Sequence, residues 1–155
     1  MSKERKVTSG IPQGSVLGPL LFVIFINDLP DNINSSVKMF ADDTKVYTKS
    51  DHDHESKQLQ EDLNKLQNWS DRWLLKFHPQ KCSVMKLGHK TSEAEYHMLG
   101  KDKEGAKCIL TLSESEAEKD LGVMIDHHLN FKQQVTQCTT KANRVVGIIL
   151  SLIHI

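Results

Sequence analysis

The sequence is short of most features that announce a function class. Its 3 cysteines, Cys82, Cys108 and Cys138, are odd in number and far apart. They match no zinc-ligand spacing and point to a reducing compartment. Charge of one sign is missing too, since 20 Lys and Arg balance 20 Asp and Glu and the pI lies near 7.1. A freestanding nucleic-acid binder draws much of its affinity from phosphate neutralisation, so this balance weighs against a chain that grips a template by surface charge alone. There is no long hydrophobic run: Leu20 to Ile26 is strongly apolar but far too short to span a bilayer. With no signal peptide apparent, a soluble, intracellular protein of the cytoplasm and/or nucleus is expected, with no membrane partner. Internal repeats and low-complexity linkers are absent. Apolar residues reach only 38%, enough for one domain in 155 residues but with a thin core.

What remains is a chain of short, legible segments. The first six residues, Met1 to Lys6, are polar and read as a disordered N-terminus. Gly10 to Ser15 holds two glycines and a proline and reads as a shaped loop. A helix over about Pro19 to Asn27 follows, with Pro19 in its first turn, where a missing N–H is tolerated. That helix is apolar on every side, which implies burial. From His54 to Trp73, Leu59, Leu63, Leu66, Trp69 and Trp73 fall at spacings of 4, 3, 3 and 4, one helical stripe, with Ser50, Asp51 or Asp53 available as N-cap. Val84 to Leu87 and Leu121 to Ile125 read as strands. A short hairpin fits the segment from Thr91 to Ser113, which Gly100 and Gly105 punctuate. Asn130-x-x-Gln133 resembles a capping box for a final helix whose stripe runs Phe131, Val135, Cys138, Ala142, Val145 and Ile149.

The segment with chemistry in it is Phe40-Ala41-Asp42-Asp43. Ser36 to Ala41 reads as a strand with Val37, Met39 and Ala41 on one face, and Lys45 to Thr48 as its partner with Val46 and Thr48 alternating. The two carboxylates therefore sit at a hairpin tip. Hard cations such as Mg²⁺ take oxygen ligands, commonly one or two carboxylates plus substrate phosphates. Two such ions about 3.5–4 Å apart clamp the attacking and leaving oxygens of a phosphoryl transfer. Taken alone, Asp-Asp in a turn is common, because short polar side chains bond their own backbone there.

The surrounding segments change that balance. SGIPQGSVLGPLLFVIFINDLP (Ser9 to Pro30) precedes FADD within a few residues, and this order resembles the reverse transcriptases of non-LTR retrotransposons, the LINE-type and especially jockey-like elements. Trp73 to Gly88 is similar to the family segment after the catalytic hairpin. Glu118 to Asp126 is similar to the primer-gripping segment, and Leu129 to Ile149 to the first thumb helix. The resemblance implies an α+β fold: a partial polymerase palm over residues 7–126, with an antiparallel sheet and packed helices, then the truncated start of a helical thumb over 127–155.

For function, the resemblance implies template-directed DNA synthesis on RNA by two-metal nucleotidyl transfer. Partners would be an RNA template, a DNA primer and deoxynucleotides, and the cofactor Mg²⁺. Asp42 and Asp43 would be catalytic metal ligands, Pro12, Gln13 and Gly14 would shape the nucleotide pocket, and Phe40 would lie by the primer terminus. Lys81 would donate a proton to the departing pyrophosphate, as a lysine can when its pKa lies near working pH. Leu121 and Gly122 would approach the primer backbone.

Each residue has a plainer reading beside this one. Pro12-Gln13-Gly14 is a turn before a helix, Phe40 is strand packing, Lys81 is a solvated loop lysine, and Leu121-Gly122 is structural. His52, His54, His127 and His128 read as exposed turn residues rather than metal ligands.

The family also places a third aspartate on an earlier strand, after a fingers region, and the sequence enters its Ser9 block with no room for either. A fragment is therefore expected, separated from the rest of the element's polyprotein and inactive alone. The alternatives are a non-enzymatic retrotransposon relic and a retained nucleic-acid- or protein-binding module. Intact Asp42-Asp43 and Gln13-Gly14 suit the enzyme fragment and a recent relic equally, and salt-sensitive RNA binding would revive the module.

Overall fold

The computed structural model describes residues 14–49, 53–88, 93–101 and 106–153. Among these residues it is α+β, with three α-helices and short two-stranded ladders, and the chain divides into two compact units, Met1–Leu75 and Lys76–Ile155.

In the first unit, helix α1 spans Leu17–Ile26, two residues earlier than Pro19 suggested. Ser15 explains the early start: its Oγ accepts a hydrogen bond from the Gly18 amide at 3.1 Å, which satisfies one of the orphan donors of the first turn. The strands β1 (Ser36–Phe40) and β2 (Asp43–Tyr47) form an antiparallel hairpin with Phe40 opposite Asp43. Val37 and Met39 share the half-buried face as expected, whereas Ala41 belongs to the turn.

Helix α2 spans Asp53–Trp73. Ser50 and Asp51, two of its expected caps, lie outside the described residues, and Asp53 is its first helical residue. The helix ends where Leu74 turns to a φ of +59, a left-handed cap more often filled by glycine, and the buried Ser70 hydroxyl donates to the Leu75 carbonyl at 2.6 Å.

The leucine–tryptophan stripe of α2 organises this unit. Leu66 is buried with Ile26 and Leu29, Phe25 meets Trp69 and Trp73 edge-on at centroid distances of 6.0 and 5.6 Å, and the Trp69 indole donates to Asp28 at 3.0 Å. The all-round burial expected of α1 is not found. Leu17, Leu20, Ile24 and Val23 are each more than half exposed. The stripe of α2 is one helix face wide, so it covers only one side of a helix that is apolar all round.

The second unit opens with a 3₁₀ turn at Pro79–Lys81. The expected strand over Val84 to Leu87 shrinks to β3 (Ser83–Val84), paired in parallel with β6 (Ser113–Glu114) beside a Lys86–Glu114 ion pair of 2.8 Å. The hairpin expected between Thr91 and Ser113 is present as β4 (His97–Lys101) and β5 (Lys107–Thr111). A Cβ at Gly100 would meet the Leu110 side chain on the facing strand, so a larger residue there would need that side chain to move. Tyr96, Met98 and Leu112 form the buried apolar centre.

Strands β7 (Ala117–Asp120) and β8 (Val123–Asp126) make a further hairpin, and α3 (Lys132–Ile153) follows. The strand expected from Leu121 therefore begins two residues later, because Leu121 and Gly122 are the turn. The capping box also differs from expectation. Asn130 Oδ1 does accept from the Lys132 amide at 2.9 Å, but the carboxylate that takes the Asn130 amide belongs to Asp126, not to a Gln133 side chain.

Among the described residues the strands pair as four two-stranded ladders, three antiparallel and one parallel. Two-stranded ladders have little independent stability in water, and each leaves open edges. The stripe of α3 is likewise uncovered, with Val135, Val145 and Ile149 at least half exposed.

Candidate active site

The β1–β2 hairpin carries its carboxylates on a two-residue loop. Phe40 and Asp43 are the last cross-strand pair, so Ala41 and Asp42 alone make the turn. Right-handed strand twist favours turns with positive φ in such loops, usually supplied by glycine or asparagine. Ala41 takes that conformation at φ +52, where glycine is usual, while Asp42 does not. The left-handed region costs a residue with a Cβ roughly 1–2 kcal/mol, so this tip holds local strain. Asp42 and Asp43 are both exposed, and Phe40 is 63% exposed beside them.

This pair offers the hard oxygen donors that Mg²⁺ takes, and it fits the part of such a site that protein supplies when substrate phosphates complete the shell. Among the described residues no group of three or more His, Cys, Asp or Glu side chains is gathered for a metal ion.

The other expected site residues fall as follows. Pro12 and Gln13 lie outside the described residues. Gly14 is exposed with φ +79, a conformation that explains glycine there, and nothing lies within 4 Å of where a Cβ would be. Lys81 closes the 3₁₀ turn, exposed, with its amide donating to His78 at 2.8 Å. Leu121 and Gly122 form the β7–β8 turn with φ of +45 and +92, both positive as a type I′ turn demands. Gly122 has open space around it, so its need for glycine comes from backbone conformation. Phe40, Asp42 and Asp43 are therefore brought together on one hairpin of the first unit, and Leu121 with Gly122 on another hairpin of the second.

Two carboxylates that sequence reasoning passed over organise the approaches to these turns. Asp62 has no exposed surface. Its Oδ2 accepts from the amides of Ser35 at 2.7 Å and Asn34 at 3.1 Å, and its Oδ1 accepts from Lys65 Nζ at 2.8 Å and Gln58 Nε2 at 3.4 Å. Burial alone would push this carboxyl up, but the Lys65 ammonium and the Ser35 and Asn34 donors outweigh it and hold the pKa at about 2. Asp126, also buried, accepts from the amides of His128, Asn130 and Phe131 at 3.1, 3.2 and 2.9 Å, capping the approach to α3. Burial raises its pKa, but the three amides, helped by His127, bring it below the usual carboxylate value. A signal for Asp62 was available: it follows Leu59 by three residues and precedes Leu66 by four, so a charge lies on an apolar stripe.

Comparison with known proteins covers most of the chain. The family described as reverse transcriptase (RNA-dependent DNA polymerase) matches residues 1–141. The RNA-directed DNA polymerase from mobile element jockey of Drosophila melanogaster is 30% identical over 144 residues, 87% of this chain and 15% of that protein. The probable RNA-directed DNA polymerases from transposon BS and from transposon X-element, both of D. melanogaster, are 32% and 30% identical over 90% and 95% of this chain and 16% of each relative. The chain thus spans about one sixth of the length of the curated relatives it matches. No solved structure matches it significantly. With the family matching 141 of its 155 residues, and with relatives drawn from jockey, BS and X-element, the chain belongs to the reverse transcriptase family, in the company of non-LTR retrotransposon polymerases.

Proposed function

We propose that the β1–β2 hairpin supplies Asp42 and Asp43 as two of the metal-binding carboxylates of an RNA-templated DNA polymerase. The observation that carries this reading is the exposed Asp42-Asp43 pair on a strained two-residue turn, within a segment matched by the reverse transcriptase family. Residues 7–126 then contribute part of a palm and 127–155 the start of a thumb.

The reaction joins the primer 3′-hydroxyl to the α-phosphate of a deoxynucleotide, with pyrophosphate leaving. Mg²⁺, when bound, supplies charge stabilisation for the attacking and leaving oxygens. Asp42 is the principal ligand and Asp43 the supporting one, and the short turn limits how far either can swing, which serves alignment. Phe40, at the end of β1, presents an exposed ring to the primer terminus. Pro12, Gln13 and Gly14 shape the nucleotide pocket, the positive φ of Gly14 bending the chain there. Lys81 donates the proton that the departing pyrophosphate takes up. The Leu121-Gly122 turn approaches the primer backbone, where an open glycine leaves room.

Mn²⁺ in place of Mg²⁺ tests the ligand assignment without requiring catalysis. In an amide NMR spectrum, paramagnetic broadening should appear first at Ala41 to Thr44 and disappear in Asp42→Asn. Broadening centred on any other acidic segment would overturn the assignment.

A further inference from the structure

A helix that carries no site residue holds the most completely buried carboxylate among the described residues. Asp62 sits on α2, and Ser35 and Asn34, whose amides it binds, are the last two residues before β1. These bonds join positions 27 and 28 residues apart, so they do nothing for α2 as a helix. The Lys65 and Gln58 contacts, at three and four residues, are the local ones. An ionised carboxylate without exposure is costly unless its lone pairs are filled, and here four donors fill them.

We propose that Asp62 is a positioning residue that fixes the base of the β1–β2 hairpin on α2 and so sets the direction in which Asp42 and Asp43 point. The proposal rests on the reading of that pair as metal ligands. The leverage follows from strand geometry. Seven residues separate Ser35 from Asp42, and strands rise about 3.3 Å per residue, so the tip stands about 20 Å from its anchor. A swing of about 10° at the base would displace the carboxylates by about 3–4 Å, as much as the whole separation of the two ions in a two-metal site.

The β1 side is where such an anchor is needed. At the other end of the hairpin the chain runs on from β2 into α2 within a few residues, so it is tied to the helix covalently. On the β1 side the tie nearest the strand is the pair of amide bonds to Asp62, six residues and several turns beyond the Trp69–Asp28 bond. An aspartate suits the position because one carboxylate oxygen can take two successive backbone N–H groups while the other holds Lys65.

The test uses the 155-residue chain and three variants. Asp62→Ala removes all four bonds, Asp62→Asn keeps an oxygen for the two amides, and Lys65→Met removes the ion pair alone. Amide hydrogen exchange should speed up at least about tenfold in Asp62→Ala, at Asn34 and Ser35 and also across the β1–β2 ladder, while the middle of α2 is unchanged. Asp62→Asn should fall between it and the wild type, and Lys65→Met should move the hairpin by no more than about threefold. The concentration of Mn²⁺ needed to broaden Ala41 to Thr44 should rise in the same order, a readout that a purely local helix role would not move. Faster exchange confined to Asn34 and Ser35, with an unchanged ladder and unchanged Mn²⁺ response, would overturn the proposal. If Asp62→Ala does not fold, Asp62→Asn against Lys65→Met makes the same comparison. Absence of Mn²⁺ broadening at the wild-type hairpin would instead remove the metal reading of Asp42 and Asp43, and ladder exchange would still decide whether Asp62 anchors the hairpin.

Discussion

Acidification should unfold the first unit in a way that depends on one side chain. Asp62 has a pKa of about 2 in the folded chain against an ordinary 3.8, and it has no exposed surface to dilute the effect. A carboxyl depressed on folding stabilises the fold in full above its unfolded value, and that stability is lost as pH falls through 3.8 towards 2. The difference corresponds to about 2 kcal/mol. Both tryptophans, Trp69 and Trp73, lie on α2, so their fluorescence reports this unit alone. Urea titrations at pH 7, 5, 3.5 and 2.5 should show the wild type losing about 2 kcal/mol more than Asp62→Asn between pH 5 and 2.5. The subtraction removes the contribution of the other carboxylates. At pH 7, Asp62→Ala should cost about 2–4 kcal/mol, because it strips the acceptor from two backbone amides and a lysine. Parallel pH profiles for the wild type and Asp62→Asn would mean that Asp62 does not carry this acid sensitivity.

The two hairpin turns make opposite use of the same geometry. Ala41→Gly should relieve the left-handed strain of about 1–2 kcal/mol, offset by about 0.5–1 kcal/mol of added unfolded-state freedom, and so raise the urea midpoint slightly; a lower midpoint would contradict the turn assignment. Leu121→Asn would create Asn-Gly in a type I′ loop and should slow exchange across β7–β8 by about fivefold, equivalent to about 1 kcal/mol, whereas faster exchange there would count against that turn. Primer extension on an RNA template should be undetectable with the 155-residue chain alone, since it spans about one sixth of the length of the polymerases it matches and Asp42 and Asp43 are proposed as only two of the metal-binding carboxylates. Extension by the wild-type chain that Asp42→Ala abolishes would show that the pair suffices.

Much of this arrangement was legible in local pattern. The alternation around FADD, the leucine–tryptophan stripe of α2 and the β4–β5 hairpin all depend on near neighbours in sequence, which is what periodicity reports. The exact turns were less legible, because Ala41 and Leu121 adopt a backbone conformation that their side chains disfavour. The place of Asp62 on the apolar stripe was visible, but its partners were not, because its bonds reach back to Asn34 and Ser35 and a long-range acceptor leaves no periodic trace. Burial of α1 was misjudged for a related reason: composition tells that a helix needs cover on all sides, not what covers it. Of the site residues, the motif order pointed to the Asp42-Asp43 hairpin, and the structure added the positive φ at its tip and the Asp62 bonds to the two residues before β1.

The most direct test places the segment in a complete enzyme. Residues 1–141 would replace the corresponding part of the jockey polymerase of Drosophila melanogaster, and RNA-templated primer extension would be measured with and without Asp42→Asn. The unmutated chimera should extend the primer, and the variant should be slower by at least about 100-fold, as expected when a group that stabilises transition-state charge is removed. Equal rates for the two would contradict the assignment of Asp42 to the catalytic centre.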